Sequence, residues 1–183
     1  MSIDFRRAQS PKSTLIHGDP LDNVTEYKYL GMVLDHKLKW DIWTDRLNTK
    51  SQQRMFFLRK LLSFNVSSSV LQTFYYAFVE SVLSFGIICW FGNATEVQKK
   101  YIRKIITTSS KLSGIPFPSM KSVYKNRILR KANSIVGNQR HPLAPSFELL
   151  PSGRRYCAPL FTKNRSKFSF VPQAIKLLNI SNS

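Results

Sequence analysis

The chain has 183 residues, enough for one ordinary domain or two very small ones, which excludes a large multidomain enzyme. Hydrophobic residues make up 43% of the sequence and aromatic residues 13%, which is enough for a packed core and argues against wholesale disorder. Lys and Arg number 28 against 10 Asp and Glu, and the net charge of +18 favours a phosphate-bearing partner.

The positive charge is concentrated in the second half of the chain. Residues 97–183 contain 17 of the 28 basic residues and a single acidic residue, Glu148. Two cysteines are too few for a disulfide framework or a zinc ligand set, and the start of the chain lacks the pattern of a secretory signal. We therefore expect an intracellular protein, nuclear or cytoplasmic.

The first elements are irregular or extended. Residues 1–22 are polar and are interrupted by Pro11 and Pro20, which predicts an irregular lead-in. A strand is predicted over residues 26–35, where aromatic and branched residues alternate and Gly31 indicates a bulge.

The middle of the chain is predicted to be helical. Hydrophobic periodicity indicates helices over residues 41–62, 69–91, 95–112 and 119–136, and Thr95 with Gln98 has the form of a capping box that opens the third. The apolar stripe predicted for the third of these helices is Val97, Tyr101, Ile105 and Leu112. Residues 23–137 are therefore expected to form one domain with a strand followed by a helical bundle.

Residues 69–91 leave two interpretations open. The segment is about 20 residues long, which is enough to span a bilayer. Glu80 would then lie near the bilayer centre at a cost of about 3 kcal/mol. We favour a soluble core helix, and a single-pass membrane segment is the alternative.

Residues 138–183 contain short apolar pieces among prolines, which predicts an extended basic tail with one short helix near residues 172–179. The predicted fold class is mainly α, with a short β element at the start and an irregular basic tail at the end.

No catalytic residues are predicted, because the acids are scattered and no nucleophile pair is evident. His17 and Asp19 form an H-x-D pattern, and with His141 they make a weak candidate for the three-ligand site of an iron(II) oxygenase. That chemistry requires a strand-rich scaffold, and the chain is predicted to be helical. We expect no cofactor and no small-molecule substrate.

Basic residues form three clusters with aromatic residues between them. Cations neutralise phosphates and aromatic faces stack on unpaired bases, so this pattern predicts binding of RNA or single-stranded DNA. A solvated basic face with inward-turned aromatic residues is the alternative. The predicted nucleic-acid-binding residues are Lys99, Lys100, Arg103, Lys104, Lys121, Lys125, Arg127, Arg130, Lys131, Arg154, Arg155, Lys163, Arg165 and Lys167.

The run YKYLGMVLDHKLKW at residues 27–40, with the helical and tail segments after it, resembles the carboxyl-terminal region of fish non-LTR (LINE-type) retrotransposon reverse transcriptases. The resemblance covers about residues 15–180 and implies a helical thumb-like domain with an RNA-binding tail. It also implies a primer-grip-like element. That element would comprise Tyr27, Tyr29, Leu30 and Gly31. The polymerase aspartates and the endonuclease of that family are missing, so the chain would be a catalytically inactive remnant that still binds RNA or single-stranded DNA.

A second resemblance concerns residues 44–85, which are similar to the domain named after the amino-terminal region of AlkB homologue 8. That resemblance implies a 2-oxoglutarate-dependent oxygenase or a methyltransferase acting on tRNA or alkylated DNA. The sequence shows no glycine-rich nucleoside-binding loop after a strand, and we keep this interpretation as the alternative.

Overall fold

The computed structural model describes residues 15–22, 24–161 and 163–181. In these residues the protein is mainly helical, with two short β-hairpins before the first helix, which confirms the predicted fold class. One hydrophobic core runs from the second hairpin to the last helix. Most of the predicted lead-in, residues 1–14, lies outside the described residues.

The first hairpin lies where the sequence predicted an irregular lead-in. Strand β1 (Leu15–Ile16) pairs antiparallel with β2 (Asp19–Pro20), and all four residues are exposed. His17 and Gly18 form the turn with positive φ angles of 52° and 94°. The hairpin is too short and too exposed to contribute to the core.

The predicted strand over residues 26–35 is a second hairpin, so that prediction was wrong in its topology. β3 (Glu26–Tyr29) pairs with β4 (Met32–Asp35) in an antiparallel register. Leu30 and Gly31 connect them with φ angles of 46° and 83°. Two consecutive positive φ angles are typical of a tight two-residue hairpin turn, and Gly31 therefore serves the turn instead of a bulge.

Helix α1 (Asp41–Ser63) confirms the predicted helix and follows a turn that the Asp35 carboxylate organises. This carboxylate accepts hydrogen bonds from the backbone N–H groups of Lys37 (2.8 Å) and Lys39 (2.9 Å). The buried face of α1 packs against β4 and against the later helix α5 (Glu96–Ser113). Its buried residues are Trp43, Thr44, Leu47, Ser51, Met55 and Leu58.

The single helix predicted over residues 69–91 is interrupted, so that prediction was wrong in its continuity. The segment comprises α2 (Ser68–Phe74), a π-helical turn (Tyr75–Glu80) and α3 (Ser81–Leu83), and α4 (Ile87–Trp90) follows after a break. The break contains Gly86 at a φ of 58°, a conformation that glycine adopts without steric cost. Within the described part of the chain, no helix is long and apolar enough to cross a membrane.

Helix α5 begins with the predicted capping box. The Thr95 hydroxyl accepts the N–H of Gln98 (3.3 Å), and the Gln98 side chain accepts the N–H of Thr95 (2.7 Å). The predicted apolar stripe was mostly wrong, because Val97, Tyr101 and Leu112 are exposed and Ile105 alone of the four is buried. The buried apolar residues of α5 are Ile102, Ile105 and Ile106.

Helix α6 (Met120–Val136) agrees with its predicted position, and Ser119 caps it by accepting the N–H of Ser122 (3.2 Å). Its inner face contains Ile128, Ala132 and Ile135, which are fully buried.

The segment predicted as an extended tail folds back onto the bundle. It contains α7 (Asn164–Lys167) and α8 (Phe170–Ser181), and α8 packs against α6 through buried Ala174, Ile175 and Leu178. The terminal helix is thus longer than the predicted residues 172–179. A short-range pattern cannot reveal this packing, because the surface that α8 covers belongs to a helix about 45 residues earlier in the sequence.

Candidate nucleic-acid interface

A groove of about 930 Å³ lies between α5, α6 and α8. We call this site the α5–α6–α8 groove. Its volume falls near the upper end of the range for sites that bind small molecules. The groove exists only because α8 folds back onto α6, so its walls come from segments separated by up to about 90 residues.

The rim of the groove is cationic. The cations that line it are Lys99, Arg103, Lys121, Lys125 and Lys176. Lys99 and Arg103 are four residues apart on α5, and Lys121 and Lys125 are four residues apart on α6, so each pair lies on one helix face. Glu96 is the acidic residue of this lining, and it pairs with Lys99 Nζ through Oε1 at 3.3 Å.

The floor of the groove is aromatic and apolar. The aromatic residues that line the groove are Phe91, Phe117, Tyr124 and Phe168, of which Phe168 is exposed. The rings of Phe91 and Tyr124 have centroids 5.1 Å apart at an interplanar angle of 47°. Lys99 Nζ lies 5.7 Å from the centroid of Phe91, so a cation also covers one aromatic face.

Tyr124 places a polar atom behind this floor, shielded from solvent. Its hydroxyl oxygen is buried and has no hydrogen-bond partner among the described residues. Burial raises the pKa of Tyr124 to about 12, so the phenol is protonated at neutral pH. A Cβ atom at Gly92 would lie 2.6 Å from this oxygen and would also overlap the Phe168 carbonyl, so the wall there requires a glycine.

Four of the predicted nucleic-acid-binding residues meet in the groove: Lys99, Arg103, Lys121 and Lys125. The others do not line it. These are Lys100, Lys104, Arg127, Arg130, Lys131, Arg154, Arg155, Lys163, Arg165 and Lys167, and all ten are exposed.

Arg127 is engaged with the bundle itself. Its Nη2 donates to the Ser84 hydroxyl at 2.8 Å, and its Nη1 donates to the Ser84 carbonyl at 3.2 Å. Ser84 is buried in the break before α4. Arg127 therefore ties α6 to this break, a contact that a charge pattern cannot reveal.

The predicted primer-grip-like residues lie on the β3–β4 hairpin. The side chains of Tyr27, Tyr29 and Leu30 are all more than half exposed. Gly31 lies beside the Phe85 ring, where a Cβ atom would come within 3.2 Å of Phe85 Cζ. The α5–α6–α8 groove has none of these residues in its lining.

The weak metal candidates His17 and Asp19 lie in the exposed β1–β2 hairpin. Among residues 15–22, 24–161 and 163–181, no three His, Cys, Asp or Glu side chains come together in a group that could hold a metal ion. The described residues therefore do not fit the three-ligand site that an iron(II) oxygenase requires.

Sequence reasoning missed three residues of the groove: Lys176, Phe91 and Phe117. Lys176 follows the buried pair Ala174 and Ile175 on the amphipathic helix α8. That pattern indicates that Lys176 lies on the outer face of the helix. No comparable signal marks the two phenylalanines, because Phe91 lies just after the end of α4 and Phe117 lies between α5 and α6.

A sequence model of the family described as "Alkylated DNA repair protein alkB homolog 8, N-terminal" matches residues 40–81. The match covers α1, α2 and the π-helical turn, which is about a quarter of the chain, and it lies outside the groove. No curated protein and no solved structure matches the chain. The matched family agrees with the second resemblance noted from the sequence, whereas the reverse transcriptase resemblance has no support from these comparisons.

Proposed function

We propose that the chain is a nucleic-acid-binding protein that carries an alkB homolog 8 N-terminal-type segment and holds RNA or single-stranded DNA in the α5–α6–α8 groove. The observation that carries the proposal is the pairing of a cationic rim with an aromatic floor in one groove. These are the two ingredients of single-strand binding, since cations neutralise phosphates while aromatic faces stack on bases.

The matched family supports the same class of ligand from a separate part of the chain. Its description names an alkylated DNA repair protein, and such a protein acts on nucleic acid. The matched α1 packs directly against α5, which supplies Lys99 and Arg103 to the groove. The matched segment would thus hold α5 in position for binding.

A retroelement origin is the second candidate. The reverse transcriptase resemblance implies a primer-grip-like strand followed by a helical thumb-like domain, and this chain has an exposed hairpin at that place, followed by helices. Both candidates assign the chain the same binding activity. They differ in the hairpin, which only the retroelement candidate places against a primer.

The test is a fluorescence-anisotropy titration of the protein with labelled single-stranded RNA and DNA at about 50 and 200 mM salt. We expect the affinity to fall by about tenfold or more between these salt concentrations. The double variant Lys121→Glu and Lys125→Glu should weaken binding at low salt and flatten the salt dependence, by about 0.7 in slope for each lost phosphate contact.

The matched control is the double variant Arg59→Glu and Lys60→Glu, which makes the same charge change on the exposed face of α1. We expect it to affect binding much less than the groove variant. Equal losses in the two variants would show that net charge, and not the groove, sets the affinity. A folded wild-type protein that does not bind at low salt would refute the proposed function.

A further inference from the structure

The four aromatic rings that line the α5–α6–α8 groove differ in how much of each ring a ligand can reach. Phe91 and Tyr124 are each 7% exposed, whereas Phe168 is 41% exposed. Stacking requires that an incoming base covers the face of a ring, so a ring that the protein has already covered cannot take part. The contacts of each ring therefore decide which of them can hold a base.

The Phe117 ring already has a stacking partner inside the protein. It lies on the Tyr75 ring with the two centroids 3.5 Å apart and an interplanar angle of 11°. The Tyr76 ring also meets it edge to face, with centroids 5.9 Å apart. Phe117 is half-buried and packs against the hydrophobic core, so it offers a ligand less of its ring than Phe168 does.

The Phe91 ring is enclosed by three neighbours. Its centroid lies 5.6 Å from that of Trp90 and 5.1 Å from that of Tyr124. Lys99 Nζ lies 5.7 Å from the same centroid. A base could reach Phe91 only by displacing these side chains, which the buried position of the ring opposes.

Phe168 has none of these constraints. Its ring contacts no other aromatic ring in the part of the chain that the structure describes, and it lies outside the hydrophobic core of that part. Phe168 is thus the one aromatic residue of the described groove lining that is exposed.

The main chain holds Phe168 in place, and burial of its ring does not. Its N–H donates to the Asn164 carbonyl at 3.0 Å, and the neighbouring Lys167 carbonyl accepts from Gln173 Nε2 at 2.9 Å. The Phe168 carbonyl packs so closely on Gly92 that a Cβ atom there would overlap it. A ring whose backbone is already fixed loses less conformational entropy when a ligand stacks on it.

We propose that Phe168 is the residue on which the groove stacks an unpaired base. This inference rests on the proposed function and deepens it, because it assigns the stacking contact to one ring and leaves the phosphates to the rim cations. A base inside a duplex has both faces covered by its neighbours, so a contact of this kind selects single strands over duplexes.

The test uses Phe168→Ala, which removes the ring and leaves every cation in place. We expect it to bind a single strand of about 12 nucleotides roughly tenfold more weakly than wild type, within the range for one stacked base. The salt dependence should stay unchanged. Affinity for a duplex of the same length, and for a strand made of abasic sites, should also stay unchanged, because neither presents a free base.

Phe161→Ala is the matched control, because Phe161 is 40% exposed and lies outside the groove lining. It should bind the single strand as wild type does. Phe168→Leu keeps an apolar side chain without a ring and should bind as weakly as Phe168→Ala.

Phe168→Trp provides a direct readout of stacking. It should bind at least as well as wild type, and strand binding should quench the emission of the introduced indole. The protein's three own tryptophans are buried, so the wild-type emission should change much less.

The outcomes separate this inference from the proposed function. Salt-sensitive binding that is the same in wild type and Phe168→Ala would overturn the inference and leave the proposed function intact. An equal loss for single strand, abasic strand and duplex would show that Phe168 supports the fold, and would also overturn the inference. So would an equal loss in Phe161→Ala or an unquenched indole in Phe168→Trp. Failure of the wild-type protein to bind any strand at low salt would refute both.

Discussion

Glu80 illustrates how one residue can work against the stability of its own core. It lies on the π-helical turn with Oε2 buried and without a hydrogen-bond partner among the described residues. Burial raises the pKa of Glu80, and the positive charge of Arg127 opposes this shift without cancelling it. Burial, together with the negative charge of Glu80, also raises the pKa of Tyr75 on the same turn.

We predict that Glu80→Gln stabilises the protein at neutral pH. A raised pKa in the folded state means that the folded state binds this proton more tightly than the unfolded state does. The free energy of unfolding therefore falls as the pH rises from the pKa of glutamate in the unfolded chain, about 4.3, to its pKa in the folded state, and the loss persists at pH 7. Glu80→Gln should increase the free energy of unfolding by about 0.5–1 kcal/mol at pH 7.

The measurement is urea unfolding of both proteins at pH 7 and near pH 4. The advantage of Glu80→Gln should shrink at the lower pH, where wild-type Glu80 is itself protonated. Glu148→Gln, at an exposed position, is the control and should change little at either pH. A Glu80→Gln protein less stable than wild type at pH 7 would show that the attraction to Arg127 outweighs burial.

At the level of secondary-structure elements, the break between α3 and α4 is a place where a tertiary contact overrides the local helical pattern. The apolar run over residues 69–91 predicts one helix, and the structure interrupts it at Gly86. The reason is contact across the sequence, because a Cβ atom at Gly86 would overlap Met32 Sδ on the β3–β4 hairpin. The glycine thus lets the hairpin pack against the helical layer.

We predict that Gly86→Ala destabilises the protein by about 2–4 kcal/mol, from a left-handed φ of 58° and from overpacking against Met32. Gly114→Ala is the matched control, because Gly114 has a φ of 68° and no atom within 4 Å of the Cβ position. It should cost about 1 kcal/mol. Equal costs in thermal or urea unfolding would contradict the role assigned to Met32.

Helix termini were the elements that the sequence predicted best. The Thr95 and Gln98 capping box and the start of α6 after Ser119 are both in their predicted places. These signals involve residues within four positions of each other, so the surrounding fold hardly affects them. The face that α5 buries was predicted less well, because its position against α1 depends on packing.

For the whole molecule, the packing of α8 on α6 completes both the core and the groove. Ile175 is fully buried in this contact, and the neighbouring Lys176 lines the groove. The last helix of the predicted basic tail, α8, therefore belongs to the core. It must be in place for the groove to have its third wall.

We predict that Ile175→Ala lowers the free energy of unfolding by about 2–4 kcal/mol, because it leaves a cavity in the core. It should also weaken binding of single-stranded RNA by loosening α8. Ile180→Ala, at a position 64% exposed on the same helix, should cost less than about 1 kcal/mol. A near-neutral Ile175→Ala in urea unfolding would show that α8 does not belong to the cooperative core.

The sequence by itself determined the helical class, the concentration of positive charge after residue 97 and the helix caps, since each depends on composition or on residues within one or two turns. Only the tertiary structure decided that Arg127 faces Ser84. It also decided that α5, α6 and α8 enclose a groove around Tyr124. These features depend on contacts between residues distant in sequence, whose free energies are absent from any local pattern.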